Sequence, residues 1–480
     1  MQEDKKSIIL TFFMGLCTLI FVVFFEGEIG YVLGGDTEAY YLNFHHHVGV
    51  APGYPLFIYI FQSVFGEETG LYAVVVAQIA LLTGAVLYLV GTIKKLFELN
   101  WWQTILIWGC SMLPFVMLLP EDPIGHTLMT ESLTYPLFYI FMAYMCKAVV
   151  KKETKYFICG LLITMLMAWI RPQMQFAFAV LGIIYVYVQI SERLEKGKEK
   201  DIKKSWFVKS GICLVIVLLS MKFLSLMTAG YEKFFFDAPA MDYSDQTLVQ
   251  RLLYVADKED AELIENEKTK EIFLITWERM QEAKTSQAYY DDSWMSWDEI
   301  FKAFGANSRI LGIVVQEQLE ATGEWPEDLI GQEQEVLMYS HELVTVLMKE
   351  HWKEHLLLTL QLIPKSFIST VFFHKRSIYS LILIATIAVY GFGLVGSIAL
   401  LFKKKNRAAG ELMLLIMGTS AVNNIACDLV LCGLQRYTSY TLGLTWIGLF
   451  LLLREWLNLL SPCAIIKYKN KKQYKQEVGE

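Results

Sequence analysis

The sequence predicts an all-α integral membrane protein of about ten transmembrane helices, and three observations carry that expectation. The 480 residues are 55% hydrophobic with a mean hydropathy of +0.39. The apolar residues gather in runs near the ~20 residues needed to cross a bilayer. Charged residues, 19% of the chain, sit mainly between those runs, and the loops alternate between basic and free of Lys and Arg. Runs of this length span lipid as helices, because a helix satisfies its own backbone groups there.

The spans are expected at about 7–25, 71–93, 102–119, 132–150, 156–171, 173–190, 208–229, 379–402, 409–431 and 438–459. Lys5-Lys6 precede the first run, but no small-residue cleavage site follows it, so it reads as an uncleaved span. Next comes a loop, residues 26–70, holding Gly34-Gly35-Asp36-Thr37-Glu38-Ala39-Tyr40-Tyr41. Within it, Pro55 to Phe61 is apolar but too short to cross; it reads as a helix on the outer membrane surface. Lys94-Lys95, Lys151-Lys152-Lys155, the Arg193 to Lys204 run, Lys403-Lys404-Lys405-Arg407 and the Lys467 to Lys475 tail all fall on one side. The short loops around 26–54, 66–70 and 120–131 contain no Lys or Arg. The positive-inside rule then puts both termini in the cytoplasm and those loops outside, in a plasma membrane.

Between the seventh and eighth spans lies an external segment, 230–378, with 27 Asp and Glu against 14 Lys and Arg. It holds most of the acid excess behind the net charge of −7. Apolar residues recur at helical spacing in Ala261–Ala288 and Gln332–His355, which predicts a small helical domain on the bundle. Its acidity argues against nucleic acid and against docking to anionic lipid. Residues 355–373 are apolar but interrupted at Pro364-Lys365, and read as an interfacial helix leading into the eighth span. A C-terminal module, 379–460, and a basic cytoplasmic tail, 461–480, complete the order. The eight cysteines lie in or beside apolar runs and imply no disulfide framework.

The polar residues at the external ends of the spans form one constellation. Asp36 and Glu38 lie in the first loop; Glu121, Asp122, His126 and Glu131 in the second. Arg171 closes the fifth span, His374-Lys375-Arg376 precede the eighth, and Arg436-Tyr437 open the tenth. A sugar carried on a lipid phosphate needs this mixture. Cations hold the anionic headgroup and stabilise charge on the leaving phosphate. A carboxylate takes the proton of the attacking hydroxyl. Asp36 is the candidate general base, with Glu38 beside it as catalytic partner, structural neighbour or metal ligand. Arg171, Arg436, Tyr437, Lys375 and Arg376 are the candidate donor-phosphate residues. Each has a plainer reading: Asp36 and Glu131 as helix caps, Arg171 and Arg436 as interfacial anchors. Lys222, in the seventh span, is read as snorkelling. His45-His46-His47 cannot all ligate one ion, since consecutive residues on a helix point apart. Asp428, beside Asn423-Asn424, either pairs with a neighbouring helix or lines a cavity.

Gly35-Asp36-Thr37-Glu38-Ala39-Tyr40-Tyr41, then Ala51-Pro52-Gly53-Tyr54-Pro55-Leu56 and the short helix to Phe65-Gly66, resemble the first external loop of GT-C fold glycosyltransferases. The nearest flavour is the branch of protein O-mannosyltransferases and aminoarabinose transferases. Glu131, Arg171-Pro172 and Arg436-Tyr437 also match that family's habits. The resemblance implies a conserved seven-span module, here 1–229, with variable C-terminal spans and the external helical insertion. It implies a polyprenyl-phosphate sugar donor, a glycan, lipid or protein acceptor, inversion at the anomeric carbon, and an active site facing outward. It maps the family's candidate base to Asp36. A divalent metal cation, held in some members by second-loop acids, would map to Glu131 or Asp122; the sequence itself fixes neither metal dependence nor any other cofactor. Thr37 departs from the adjacent Asp-Glu of the protein mannosyltransferases. Three other readings compete. A polymerase or ligase of lipid-linked oligosaccharides would carry more loop Arg and fewer first-loop acids. A transporter would show inverted repeats and spans broken at the midplane, and the sequence shows no such repeat. An envelope binding protein would tolerate neutralisation of Asp36.

Overall fold

A computed structural model describes residues 2–25, 31–33, 37, 51–118, 124–153, 155–196, 202–237, 243–290, 297–372, 379–403, 406–430 and 434–460. Its elements are helices, and the extended pairing among the described residues is a single bridge between Val32 and Thr127.

The chain begins with α1 (Gln2–Phe25), α2 (Gly53–Phe65) and α3 (Glu67–Phe97). α2 doubles back onto α3 through Gly66, whose φ of +84° suits glycine. Gly70 makes that return possible: a Cβ there would sit 2.5 Å from the Gln62 Cα. There follow α4 (Trp101–Leu118), α5 (Glu131–Lys151), α6 (Lys155–Ile170), α7 (Phe176–Lys196) and α8 (Ile202–Phe236). α5 is the central helix, with Tyr135, Phe138, Tyr139 and Phe141 all fully buried. α8 lies at the edge and shows Leu214, Leu218, Leu219 and Phe223 outward, a surface suited to lipid. Lys222 is exposed on it.

Eight helical segments are long and apolar enough to cross a membrane, at eight of the ten expected positions. The chain is thus an all-helical protein suited to multiple membrane passes. The other two expected positions form α4, 18 residues with Pro114 inside, and α6, 16 residues. At 1.5 Å per residue α6 is about 24 Å long, short of a ~30 Å hydrocarbon core.

The segment after α8 contains α9 (Ser244–Val255), α10 (Glu267–Ala283), α11 (Trp297–Thr322) and α12 (Leu329–Ile368). These helices enclose their own core around Leu252, Phe273, Val314, Leu343 and Leu347. Residues 355–368, within the stretch read as a helix before the eighth span, are helical as the end of α12. α12 runs through Pro364 and breaks at His351 (φ −102°, ψ 21°), whose Nε2 lies 2.8 Å from Asp260 Oδ2. Lys365, next to the proline, is buried against Asp298 at 2.7 Å, which anchors the late turns.

The chain returns through α13 (Tyr379–Leu401), α14 (Arg407–Val430), the single turn α15 (Gln435–Thr438) and α16 (Leu442–Leu460). Described residues from the basic and the Lys- and Arg-free sets of loops lie at opposite ends of this bundle. At one end Lys152 and Arg407 share Glu411, and Arg454 donates to the Phe97 carbonyl. At the other end residues 124–131, Arg171 and α15 come together.

α12 docks the insertion on that second end. Ser366 donates to Asp428 Oδ1 at 2.9 Å, Thr370 meets the Tyr390 hydroxyl at 2.6 Å, and Trp446 donates to the Val371 carbonyl. Arg251 of α9, fully buried, donates to the Asp428 carbonyl and to Thr359. A cation at the carbonyl end of α14 meets orphan acceptors and the favourable end of the helix dipole. Asp428 therefore pairs with a neighbouring helix, the first of the two roles open to it from sequence. The six described cysteines are free.

Candidate functional site

Four of the residues singled out in the sequence converge: Glu131, Arg171, Arg436 and Tyr437. Each sits where a helix starts or stops. Arg171 stands at a corner. Its N–H closes α6 on Met167 O, its own backbone is extended (φ −149°, ψ 115°), and Pro172 opens a 3-10 turn. Proline suits a first helical position because its missing N–H is not needed there. The corner frees the Arg171 side chain to reach Glu131, the first residue of α5. Arg436 and Tyr437 sit on α15, the turn that bridges α14 to α16.

Glu131 is buried, its side chain 5% exposed, and takes both cations on one oxygen. Arg171 Nη1 is 2.6 Å and Arg436 Nε 3.6 Å from Oε1. Thr130 donates to Oε2 at 2.9 Å and accepts from Arg171 Nη1 at 2.8 Å. The Tyr437 ring lies against both guanidiniums, 4.5 Å from Arg171 and 5.1 Å from Arg436, and Arg436 donates to its hydroxyl at 3.1 Å. Among the described residues the cluster is two guanidiniums, one carboxylate and an aromatic face. Its forked guanidinium donors are of the kind that fits an oxyanion.

A second set of residues fixes this arrangement, and the sequence reading missed it. Gln173 accepts from Arg171 Nε at 2.9 Å and donates to the Tyr437 carbonyl at 2.8 Å and to Asn423 Oδ1 at 3.1 Å. Asn423 donates to the same carbonyl at 3.0 Å. Tyr135 stacks on Tyr440 with centroids 4.0 Å apart, and shares a 2.6 Å hydrogen bond with Ser439. Amides inside apolar spans were the available signal: a buried polar group needs a partner, and both of these face the same carbonyl.

The first loop reaches the same end of the bundle. Val32 N donates to His126 O, and Leu128 N donates to Val32 O, both at 3.0 Å. Thr37, the residue between Asp36 and Glu38 in the sequence, is fully buried and donates to Leu128 O at 2.9 Å. Tyr54 donates to Gln78, which in turn donates to Gly125 O. His126 meets the Val22 carbonyl at 3.1 Å. These bonds tie the first loop and α2 to the strand of chain that leads into Glu131.

Asp36, Glu38, Asp122, Lys375 and Arg376 lie outside the described residues, as do Glu121, His45-His46-His47 and His374. The Glu131 carboxylate faces two guanidiniums and holds the two arginines in register. Among the described residues no group of three or more His, Cys, Asp or Glu is placed to hold a metal ion, and Asp122, the other residue named for one, lies outside them. The chain matches no protein-family model, no curated protein and no solved structure.

Proposed function

We propose that the protein is an integral membrane glycosyltransferase that moves a sugar from a polyprenyl-phosphate donor to a glycan, lipid or protein acceptor at the outer membrane face, with inversion. The observation that carries the reading is the meeting of Arg171, Arg436 and Tyr437 at Glu131. Two guanidiniums brought together at a bundle end suit a phosphate presented by a lipid. Thr37, bonded to the segment before Glu131, supports bringing the first-loop acids to the same end.

In this reading the acceptor hydroxyl attacks the anomeric carbon while Asp36 takes its proton. The bond from that carbon to the donor phosphate breaks, and the phosphate leaves with the electron pair. Arg171 and Arg436 neutralise the charge that grows on it. Such preorganised donors are worth roughly 100- to 1000-fold in rate each. Glu131 keeps the two guanidiniums apart and aimed, and Tyr437 restricts them by stacking.

The test is transfer of labelled sugar from a panel of polyprenyl-phosphate sugars in proteoliposomes. Wild type should transfer; Asp36→Asn should abolish transfer while folding normally; Arg436→Met should slow it by about 100-fold or more. Equal transfer by wild type and Arg436→Met would remove the cluster from the reaction. Equal transfer by Asp36→Asn would move the base to Glu38. Absence of transfer across all donors would favour the lipid-linked polymerase or transporter readings.

A further inference from the structure

A second cationic cluster lies at the opposite end of the bundle, and the proposed reaction makes no use of it. α5 ends in Lys147 and Lys151, and α6 begins at Lys155. Lys147 and Lys151 share a helix face, being four residues apart. Lys152 turns away in a left-handed conformation (φ 57°) and joins Arg407 and Tyr187 on Glu411, at 3.0, 2.7 and 2.6 Å. Lys152 and Arg407 thus share one carboxylate on that side. Among the described residues Lys147 and Lys151 have no carboxylate partner, and Lys155 has the half-exposed Glu153.

Tyrosine rings line the unmatched side. Lys147 donates to the Tyr88 hydroxyl at 2.7 Å and lies 4.2 Å from the Tyr88 ring and 5.2 Å from that of Tyr144. Lys151 and Lys155 lie 6.0 and 5.1 Å from the Tyr156 ring. The rings adjoin one another, with centroids 5.7 Å apart for Tyr88–Tyr144 and 6.4 Å for Tyr144–Tyr156. From Lys155 an open apolar stripe runs down one face of α6: Ile158, Leu162 and Leu166 are 65%, 62% and 43% exposed. Lys147 lies one turn deeper than Lys151, about 6 Å along the axis.

We propose that this patch binds an anionic phospholipid, its phosphate among Lys147, Lys151 and Lys155 and an acyl chain along the stripe on α6. Three ammoniums against one carboxylate supply the charge. The tyrosines supply the amphipathic boundary where headgroup meets hydrocarbon, and basic pockets between spans are where anionic headgroups bind. The apolar stripe, leading directly from the cations, favours a lipid over free phosphate.

The test uses the full chain released from nanodiscs of mixed phosphatidylglycerol and phosphatidylcholine into native mass spectrometry. Wild type should retain phosphatidylglycerol preferentially. Retention should fall about fivefold for each ammonium removed in the K147Q, K151Q and K155Q series. The corresponding Lys→Arg series should keep it. Equal retention of the two lipids by wild type, or unchanged retention in the combined Gln variant, would overturn the proposal. Thermal stabilisation by inorganic phosphate as great as by phosphatidylglycerol would assign the cluster to free phosphate and overturn it as well. K151Q alone, at an exposed position, carries the same comparison if the combined variant fails to fold.

Discussion

Glu131→Gln is the most informative single change, because its cost follows from geometry whatever the protein's reaction. The substitution keeps volume and leaves an oxygen for the Thr130 hydroxyl, 2.9 Å away. It removes the carboxylate charge that, among the described residues, lies against Arg171 at 2.6 Å and Arg436 at 3.6 Å. Orphaning one partner of a buried ion pair costs about 3–5 kcal/mol. Most of that falls on Arg171, which is closer and more buried; its side chain is 11% exposed against 23% for Arg436. Adding Arg171→Met deletes the orphaned charge, so the double variant should cost about 2–3 kcal/mol less than the two single changes added together. Reversible unfolding in mixed micelles titrated with SDS, followed by tryptophan fluorescence, measures all three variants. A single-variant cost within about 0.5 kcal/mol of zero, or strict additivity in the cycle, would refute the arrangement.

Four further outcomes are expected. Tyr437→Ala should lose about 0.5–2 kcal/mol in the same unfolding assay, with Tyr437→Phe losing less, because the ring contacts both guanidiniums. Arg251→Met should raise amide hydrogen exchange in α9 and in the last turn of α14, since it removes the donors to the Asp428 carbonyl and Thr359. His355, buried outside the spans where α12 meets the bundle, is pushed down to about 4 by burial and by the positive charge of Arg251. The unfolded chain takes up that proton near pH 6.5, so stability should be full above that value and decline as pH falls toward 4; in His355→Gln the decline should shrink. Gly70→Ala should cost about 1–3 kcal/mol, because its Cβ would meet Gln62 backbone at 2.5 Å and push α2 from α3.

Much of the architecture is legible from hydropathy and charge alone. Apolar length locates the spans because lipid forbids open backbone, and lysine bias sorts the loops to the two ends of the bundle. Arg171 and Arg436 stand out because cations are scarce in that set of short loops. Their meeting does not follow from sequence: Arg171 lies 2.6 Å from a residue forty positions earlier, and Arg436 approaches it across the whole of the insertion. Gln173 does not stand out because an amide carries no charge in an apolar run, and Asn423 is visible only as a neighbour of Asp428. The break in α12 at His351 has no signal in the sequence either. Pro364 is the strongest local helix breaker, yet its turn is held by Lys365 on Asp298, whereas His351 meets Asp260.

α14 has a mechanical consequence. Near its start Glu411 gathers Lys152, Arg407 and Tyr187. Two turns from its end Asn423 holds the Tyr437 carbonyl, and its final turn receives Ser366 and Arg251 from the insertion. The helix therefore acts as a tie rod, pinned at both ends and gripped near one of them. It could not slide by a turn without breaking polar contacts at each station. A load applied to the insertion is carried by a rigid member past the arginine cluster to the far end of the bundle, so a graft that twists the insertion should loosen the distant Glu411 contacts as well as the nearby ones.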